Sequence, residues 1–176
     1  MAVAVRPMTP DDGPSLQRIE LLAGARFADI GMPEIAGDTP ASVEVLAGYA
    51  DAGRGWVATG DDGEPIGYVI VDVVDGNAHI EQVSVLPDHQ GRGVGRALVD
   101  RVGAWATDRR MPALTLTTFR DVPWNGPLYR HLGFRFLDHD TLGPELAAVR
   151  EHETALGLDP ATRVGMRLDL EPPPGP

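Results

Sequence analysis

The sequence predicts one α/β domain with a mixed, mostly antiparallel central sheet of about seven strands flanked by helices. Two features of the residue pattern predict it. Strand-like segments separated by short turn sequences fill residues 55–86, so hairpins are expected there. After Pro87 the apolar spacing changes to that of a helix, which leads into a further strand. Early hairpins followed by a strand–helix–strand crossover give a mixed sheet with helices packed on it.

The first third of the chain predicts one strand and two helices. The strand covers residues 2–8 and ends at T-P-D-D-G. A helix is expected over 14–27, where apolar residues recur at helical spacing: Leu16, Ile19, Leu22 and Ala23. The Gly- and Pro-rich stretch 29–40 is predicted as a loop, and a second helix follows from about Ser42 to Tyr49.

The middle of the chain predicts a β-meander and then an amphipathic helix. The three strands cover 55–60, 65–74 and 77–86, and the turn sequences D-D-G-E and D-G-N separate them. The helix is expected from about Gly93 to Asp108 because six residues recur on one face: Val94, Ala97, Leu98, Arg101, Val102 and Trp105.

The last third predicts three more strands and two more helices, which completes the sheet. In chain order these elements are a strand at 114–119, a helix at 126–132, a strand at 134–139, a helix at 144–156 and a strand at 162–170. The length of 176 residues fits a single domain, assigned to 1–170. The remaining E-P-P-P-G-P, residues 171–176, is expected to be a disordered tail.

Composition excludes several classes of protein. The chain has no cysteine, so disulfides, thiolate zinc sites, iron–sulfur clusters and a cysteine nucleophile are excluded. The formal net charge of −11 argues against nucleic-acid binding, which needs a basic surface. No apolar run is long enough to span a membrane, no signal-peptide pattern begins the sequence, and no histidine spacing suggests a metal site. We therefore expect a cytoplasmic enzyme or binding protein without a metal.

The most informative stretch is V-S-V-L-P-D-H-Q-G-R-G-V-G-R, where a strand leads through a glycine-rich loop into a helix. The start of a helix offers free N–H groups and the positive end of its dipole, so it can hold an anion. Arg92 and Arg96 add positive charge to the same segment. The spacing of Gly91, Gly93 and Gly95 does not give G-x-G-x-x-G, and the chain has no lysine for a P-loop. Neither of these nucleotide motifs is present.

The run Q-G-R-G-V-G at 90–95 resembles the Q/R-x-x-G-x-G/A loop of the GCN5-related N-acetyltransferase (GNAT) superfamily. The segment V-S-V-L-P before it, and P-W-N-G-P-L-Y-R-H-L-G-F after the next strand, also resemble family motifs at similar spacing. The resemblance implies acetyl-CoA as cosubstrate and a sheet splayed between the strands at 77–86 and 114–119. It assigns cofactor contacts to Val83, Ser84, Val85, Gln90, Gly91, Arg92, Gly93, Val94, Gly95, Arg96, Asn125 and Tyr129.

The same resemblance places a general acid and a general base. Tyr129 matches the family's frequent acid, and a phenol stays protonated at pH 7 and can protonate a thiolate leaving group. His79 and Glu81 lie on one face of the predicted strand with Val83 and Val85, since side chains alternate along a strand. Both match positions that act as bases in some family members. We prefer Glu81 to His79 and keep both as candidates.

The acceptor is expected between the first two helices and near the 120–124 loop, as the resemblance implies. Acidic Asp29, Glu34 and Asp38 in this stretch favour a cation. The residues assigned to the acceptor pocket are Phe27, Ile30, Met32, Glu34 and Trp124.

These assignments predict an acetyl-CoA-dependent N-acetyltransferase that acts by direct attack in a ternary complex on a small or cationic amine. Its expected partners are acetyl-CoA and the amine acceptor, with neither nucleic acid nor membrane, and the family resemblance is compatible with a homodimer. Two alternatives remain open at this point. One is a non-catalytic acyl-CoA-binding sensor or interaction module, and the other is an acyltransferase that acts on a protein amine.

Overall fold

The computed structural model describes residues 2–172 and 174–175, and it contains the expected mixed sheet. The described residues form seven strands, which lie in the order β1-β2-β3-β4-β5-β7-β6. In chain order these are β1 (Ala4–Pro7), β2 (Gly55–Thr59), β3 (Pro65–Val74), β4 (Asn77–Val85), β5 (Ala113–Phe119), β6 (Arg135–Leu137) and β7 (Arg163–Asp169).

Helices accompany the strands much as the apolar spacing predicts. They are α1 (Gly13–Gly24), α2 (Pro33–Ala36), α3 (Val43–Asp51), α4 (Val94–Asp108), α5 (Gly126–His131) and α6 (Pro144–Ala155). Most element boundaries lie within two residues of the sequence prediction. Two regions differ more. The helix expected to continue to residue 27 ends at Gly24 and continues as a 3-10 segment, Ala25–Ile30, and the stretch expected as loop contains α2. A four-residue helix is too short to show an apolar period, so the pattern could not reveal it.

The chain divides into two compact units. One contains the residues up to 71 together with 82–101, and the other contains 72–81 together with the residues from 102 onwards. The assignment of residues 1–170 to a single domain stays a prediction. Residues 173 and 176 of the predicted disordered tail lie outside the described residues.

The first unit is built on the antiparallel strands β1, β2 and β3. Its apolar core joins this sheet to α1 and α3 through Met8, Leu16, Ile19, Leu46, Val57, Tyr68 and Ile70. Two polar interactions fix the starts of α3 and α1. The Ser42 hydroxyl accepts the Val45 N–H at 3.2 Å and caps α3. Arg6 donates to both carboxylate oxygens of Asp12, at 2.8 and 2.9 Å, just before α1 begins.

The second unit is built on β5, β7 and β6, which pair antiparallel. The Asp75 carboxylate accepts the backbone N–H groups of Glu145 and Leu146, both at 2.9 Å, so the β3–β4 turn caps the start of α6. The Glu145 carboxylate accepts the Asp75 N–H in return. These reciprocal bonds attach α6 to the hairpin.

Pairing between β4 and β5 is parallel and short. Within the described residues of the two strands, it joins only Ala78 to Leu114 and His79 to Thr115. The remainder of β4, from residue 80 to its end, has no β5 partner in this register. The sheet therefore opens between these strands, as the family resemblance predicts.

Candidate active site

The loop before α4 is open where the sequence predicts an anion site. Gly91 and Gly93 have φ angles of +73° and +83°, a conformation that favours glycine. A Cβ built at either position would have no heavy atom within 4 Å. The Gly93 carbonyl accepts the Ala97 N–H at 3.0 Å, so the first N–H groups of α4 have no partner within the helix. This loop leaves space and backbone donors for a phosphate.

The charged residues of this loop face solvent. Arg92 and Arg96 are both exposed, on either side of Gly93. Val94, in contrast, is buried at the start of α4 and anchors the helix in the core. Arg92 and Arg96 are therefore available to an anionic ligand, whereas the side chain of Val94 is not, so any ligand contact of Val94 must come from its backbone.

The side chain of Gln90 holds the loop rather than facing outwards. Its Nε2 donates to the Val85 carbonyl at 2.9 Å, and its Oε1 accepts Arg26 Nη1 at 2.8 Å. Burial lowers the pKa of the Arg26 guanidinium. Gln90 thus connects the end of β4 to the 3-10 segment after α1. Sequence reasoning missed Arg26, which stands 64 positions away, because no local pattern connects the two residues.

Residues at the end of β4 contribute to the site unequally. Val83 and Val85 are partly buried and Ser84 is buried. The Ser84 hydroxyl is already engaged inside the protein, where it accepts Gln82 Nε2 at 2.8 Å and bonds to the phenol of Tyr68. A cofactor contact from Ser84 would therefore come from its backbone. The Val85 carbonyl already accepts the side-chain amide of Gln90.

The two candidate bases lie at the start of β4 and have different environments. His79 is only 2% exposed, and its Nδ1 lies 2.9 Å from Thr115 Oγ1. The Glu81 side chain is 48% exposed, and its Oε2 lies 3.9 Å from His79 Nε2. His79 is therefore a core histidine with a hydroxyl partner, while Glu81 is the one that reaches solvent.

Burial moves the two pKa values in opposite directions. Burial lowers the pKa of His79, against the opposing effect of Asp72 and Glu153, and so favours the neutral imidazole. Desolvation raises the pKa of Glu81, and the negative charges of Asp72 and Glu153 raise it further. A glutamate whose pKa is raised towards neutrality is better matched to general-base work at physiological pH.

Tyr129 is buried in α5, where its ring meets Phe134 edge-on with a centroid distance of 5.7 Å. Burial raises the pKa of its phenol well above the ordinary value, which keeps the proton on the oxygen. Among the described residues its hydroxyl has no protein hydrogen-bond partner. A protonated phenol without a protein acceptor can donate to a ligand.

Asn125 occupies the N-cap position of α5, but its side chain does not cap the helix. Its Nδ2 donates weakly to the Trp124 carbonyl at 3.3 Å, and its Oδ1 is buried without a hydrogen-bond partner. A buried amide oxygen without a protein partner can accept a hydrogen bond from a ligand or from a water molecule. This observation supports the cofactor assignment of Asn125 over a capping role.

Gly126 explains why α5 begins where it does. A Cβ at this position would lie 2.2 Å from the Arg120 carbonyl oxygen and 3.1 Å from that of Phe119. Only glycine lets the helix start pack directly on the end of β5. Close backbone packing on the end of β5 thus fixes the position of the P-W-N-G-P-L-Y segment.

The predicted acceptor residues lie on two segments of the chain. Phe27 and Met32 lie on one short segment, where the Met32 N–H donates to the Phe27 carbonyl at 2.9 Å. Ile30 is 44% exposed and Glu34 is exposed. Trp124 is partly buried in the second unit. The structure therefore groups four of the five on one segment of the first unit.

Comparisons with known proteins agree with the fold. A streptothricin acetyltransferase from Streptomyces lavendulae is 33% identical over 93 residues, which are 50% of this chain and 48% of that protein. The match thus spans about half the length of that curated relative. The ribosomal-protein-S18-alanine N-acetyltransferase of Escherichia coli has a TM-score of 0.66 at 19% identity, with 97% of this chain and 95% of that one covered.

A third similar protein is the PaiA N-acetyltransferase of Thermoplasma acidophilum, solved in complex with coenzyme A. It has a TM-score of 0.70 at 13% identity, with 96% of this chain and 99% of that chain covered. Among the described residues, no helix is long and apolar enough to cross a membrane. The model of the acetyltransferase (GNAT) family matches residues 27–134, more than half of the chain, and this protein belongs to that family.

Proposed function

We propose that this protein is an acetyl-CoA-dependent N-acetyltransferase that transfers the acetyl group to a small or cationic amine by direct attack in a ternary complex. The observation that carries the proposal is the open loop at Gly91 and Gly93, which leads into the start of α4 beside two exposed arginines. The unpartnered buried oxygen of Asn125 fits a cosubstrate that offers hydrogen-bond donors.

The residues of this chain divide the work as follows. The loop 90–96 binds the pyrophosphate with backbone N–H groups and arginine charge. Glu81 takes a proton from the acceptor ammonium, so that the neutral amine can attack the thioester carbonyl. The C–N bond forms and the C–S bond breaks. Tyr129 gives its proton to the departing thiolate, and its phenolate recovers a proton from the newly bonded nitrogen, which must lose its second proton to give the neutral amide. Glu81, which reaches solvent, releases the first proton to water.

Glu81 is the proposed base because it alone of the two candidates reaches solvent and has a raised pKa. His79 is buried and bonded to Thr115, so we assign it the role of holding the start of β4 beside Glu81. The negative charges of Asp72 and Glu153, which act on Glu81, also favour an ammonium acceptor over an acidic one.

The first experiment measures thiol release from acetyl-CoA with a panel of amines that includes polyamines, amino acids, lysine peptides and streptothricin. We expect Tyr129→Phe to lower kcat about 10²-fold on the best amine, as removal of a general acid does. Tyr49→Phe, which removes a hydroxyl from α3, is the matched control and keeps wild-type kcat. Equal activity of Tyr129→Phe and wild type would remove Tyr129 from the mechanism.

The same panel separates the alternatives. A non-catalytic sensor would gain thermal stability with acetyl-CoA but release no thiol with any amine. A protein acetyltransferase would turn over only the peptides. If acetyl-CoA neither stabilises the protein nor reacts, the assignment of the loop 90–96 is wrong. The homodimer, which the family resemblance allows, stays a prediction for light scattering.

Glu81 is tested by the pH profile of kcat/KM. Since the pKa of Glu81 is raised, the activity should rise with pH through a midpoint above 4.5, the ordinary value, as Glu81 loses its proton. Glu81→Gln should lower kcat/KM about 10²-fold and abolish that rising limb. Glu44→Gln, on the exposed start of α3, is the control. A rising limb that persists in Glu81→Gln but vanishes in His79→Gln would transfer the role to His79.

A further inference from the structure

The side chain of Gln90 forms a bridge between two segments that are distant in the sequence. Its Nε2 donates to the Val85 carbonyl at 2.9 Å, and its Oε1 accepts Arg26 Nη1 at 2.8 Å. All three residues belong to the first unit. Arg26 is partly buried and lies in the 3-10 segment that follows α1. The bridge therefore joins the end of β4, the loop before α4 and the end of α1.

The two partners of Gln90 allow its amide only one orientation. A guanidinium can only donate hydrogen bonds, so Arg26 must face the amide oxygen. A carbonyl can only accept them, so Val85 must face the NH₂ group. Turning the amide by 180° would break both bonds and would bring donor against donor and acceptor against acceptor. Arg26 thus determines which end of Gln90 reaches the strand.

The Val85 carbonyl lies on the edge of β4 that faces away from β3. The next N–H along the chain, that of Leu86, donates to the Ile66 carbonyl of β3 at 2.8 Å. Backbone groups of successive residues point to opposite edges of a strand, so those of Val85 point away from β3. Pairing with β5 reaches only as far as His79 among the described residues. Gln90 therefore gives Val85 a hydrogen bond that a neighbouring strand would otherwise make.

The bridge acts on the loop that the candidate site requires. Gln90 is the first residue of the loop 90–96 and directly precedes Gly91. Gly91 and Gly93 both have positive φ angles, and no heavy atom lies within 4 Å of either Cβ position. Glycine has the largest conformational freedom, so an unrestrained loop would lose much entropy when a ligand orders it. A loop whose first residue is already held loses less on binding.

We propose that Arg26 is a positioning residue for acetyl-CoA, which holds the Gln90 side chain on the Val85 carbonyl and so fixes the start of the loop 90–96. The inference rests on the assignment of this loop to the pyrophosphate in the proposed function. Arg26 acts through Gln90, whereas the exposed Arg92 and Arg96 are available to the anion itself. Its loss should therefore weaken the binding of the pyrophosphate without removing any group that touches it.

The test measures the affinity for acetyl-CoA by isothermal titration calorimetry. Arg26→Met removes the donor and should raise Kd about tenfold, the value of one hydrogen bond to a charged group. Gln90→Met removes both bonds, and the double variant should bind no more weakly than Gln90→Met, because Arg26 acts through Gln90. Arg18→Met removes an exposed arginine from α1 and is the matched control. Its Kd should stay within about twofold of wild type, since salt screens an exposed charge.

Two further measurements separate positioning from a general effect on the fold. S-acetylpantetheine lacks the pyrophosphate, so its affinity, measured in competition with acetyl-CoA, should be the same in Arg26→Met and wild type. The backbone amides of Gly91 and Gly93 should have lower order parameters in Arg26→Met than in wild type, as measured by ¹⁵N relaxation of the free protein. Melting temperatures of all variants are measured so that every assay stays well below unfolding.

Equal losses of affinity for acetyl-CoA and S-acetylpantetheine would overturn the proposal, because a distorted site weakens both. Unchanged order parameters in the loop would overturn it as well. Additive losses in the double variant would mean that Arg26 attracts the ligand directly, and an equal loss in Arg18→Met would reduce the effect to net charge. If Arg26→Met does not fold, the same measurements on Gln90→Met decide.

Failure of the proposed function would be visible separately. A wild type that binds acetyl-CoA but acetylates no amine contradicts the proposed function, while the binding measurements still decide the role of Arg26. A wild type that does not bind acetyl-CoA contradicts both.

Discussion

The starts of α4 and α5 both use glycine, for opposite physical reasons. Before α4, Gly91 and Gly93 adopt positive φ angles, and nothing occupies the space where a side chain would be. At α5, Gly126 is helical, and a Cβ at this position would lie 2.2 Å from the carbonyl oxygen of Arg120. One helix start is open to a ligand, whereas the other is closed by the protein itself.

This difference separates residues that serve binding from residues that serve folding. Glycine adopts the positive φ of this loop without strain, and the empty space beside it is useful only if a ligand fills it. Gly93 is therefore expected to matter most when acetyl-CoA is present. Crowding around Gly126 contributes to stability whether or not a ligand is bound. Alanine substitutions at the two helix starts should therefore have different signatures.

The largest effect is expected from Gly126→Ala. The new methyl group cannot coexist with the Arg120 carbonyl, so backbone must move, and the free energy of unfolding should fall by about 3 kcal/mol. Urea denaturation followed by circular dichroism measures the loss. Gly48→Ala, in the middle of α3 with nothing within 4 Å, is the matched control and should stabilise by about 0.5–1 kcal/mol. A Gly126→Ala protein as stable as wild type would break the comparison.

The next effect is expected from Gly93→Ala, and here binding should suffer more than stability. A non-glycine residue at a φ of +83° costs about 1 kcal/mol, while the displaced backbone loses donors to the pyrophosphate. We expect affinity for acetyl-CoA to fall about 10²-fold, corresponding to about 2.7 kcal/mol. Isothermal titration calorimetry measures the affinity. If the loss of stability exceeds the loss of binding energy, the loop is structural.

Gly95→Ala should show how much the affinity for acetyl-CoA depends on the empty space beside the first turn of α4. Gly95 lies in the first turn of α4, its φ is not positive, and no heavy atom lies within 4 Å of its Cβ position. The unfolding free energy should therefore stay within about 0.5 kcal/mol of wild type. Affinity for acetyl-CoA should still fall about tenfold, because the methyl group occupies space that the phosphates need. Unchanged affinity would mean that the ligand does not approach this turn.

The smallest effect is expected from Asn125→Ala. This variant tests whether the Asn125 side chain, at the start of α5, contacts acetyl-CoA. Because Oδ1 has no protein partner, its removal should leave stability within about 0.5 kcal/mol of wild type. KM for acetyl-CoA should rise about fivefold, the value of one neutral hydrogen bond. A fall in stability without a change in KM would instead assign Asn125 to folding.

Local pattern predicted most of the fold. The turn sequences and the change of period after Pro87 gave every strand of the sheet, and the glycine-rich loop lies where its motif predicts. Contacts between distant residues were not predictable. Glu20 bonds Tyr68 across 48 positions and Asp75 bonds Glu145 across 70, and neither pairing leaves a periodic signal. Choosing between His79 and Glu81 also needed burial, because two ionisable residues on the same face of a strand look alike in the sequence, although only Glu81 reaches solvent.

The cap that Asp75 places on α6 has a mechanical consequence. Two bonds from one carboxylate and a third in return fix the rotation of the helix about its axis as well as its distance from the turn. Glu153 lies eight residues beyond Glu145, about 12 Å along the helix, where it pairs with Arg163 at 3.1 Å. Advancing the helix by one residue would turn it by about 100° and aim Glu153 away from that arginine. The turn between β3 and β4 thus fixes, through α6, the position of Glu153, whose negative charge raises the pKa of Glu81.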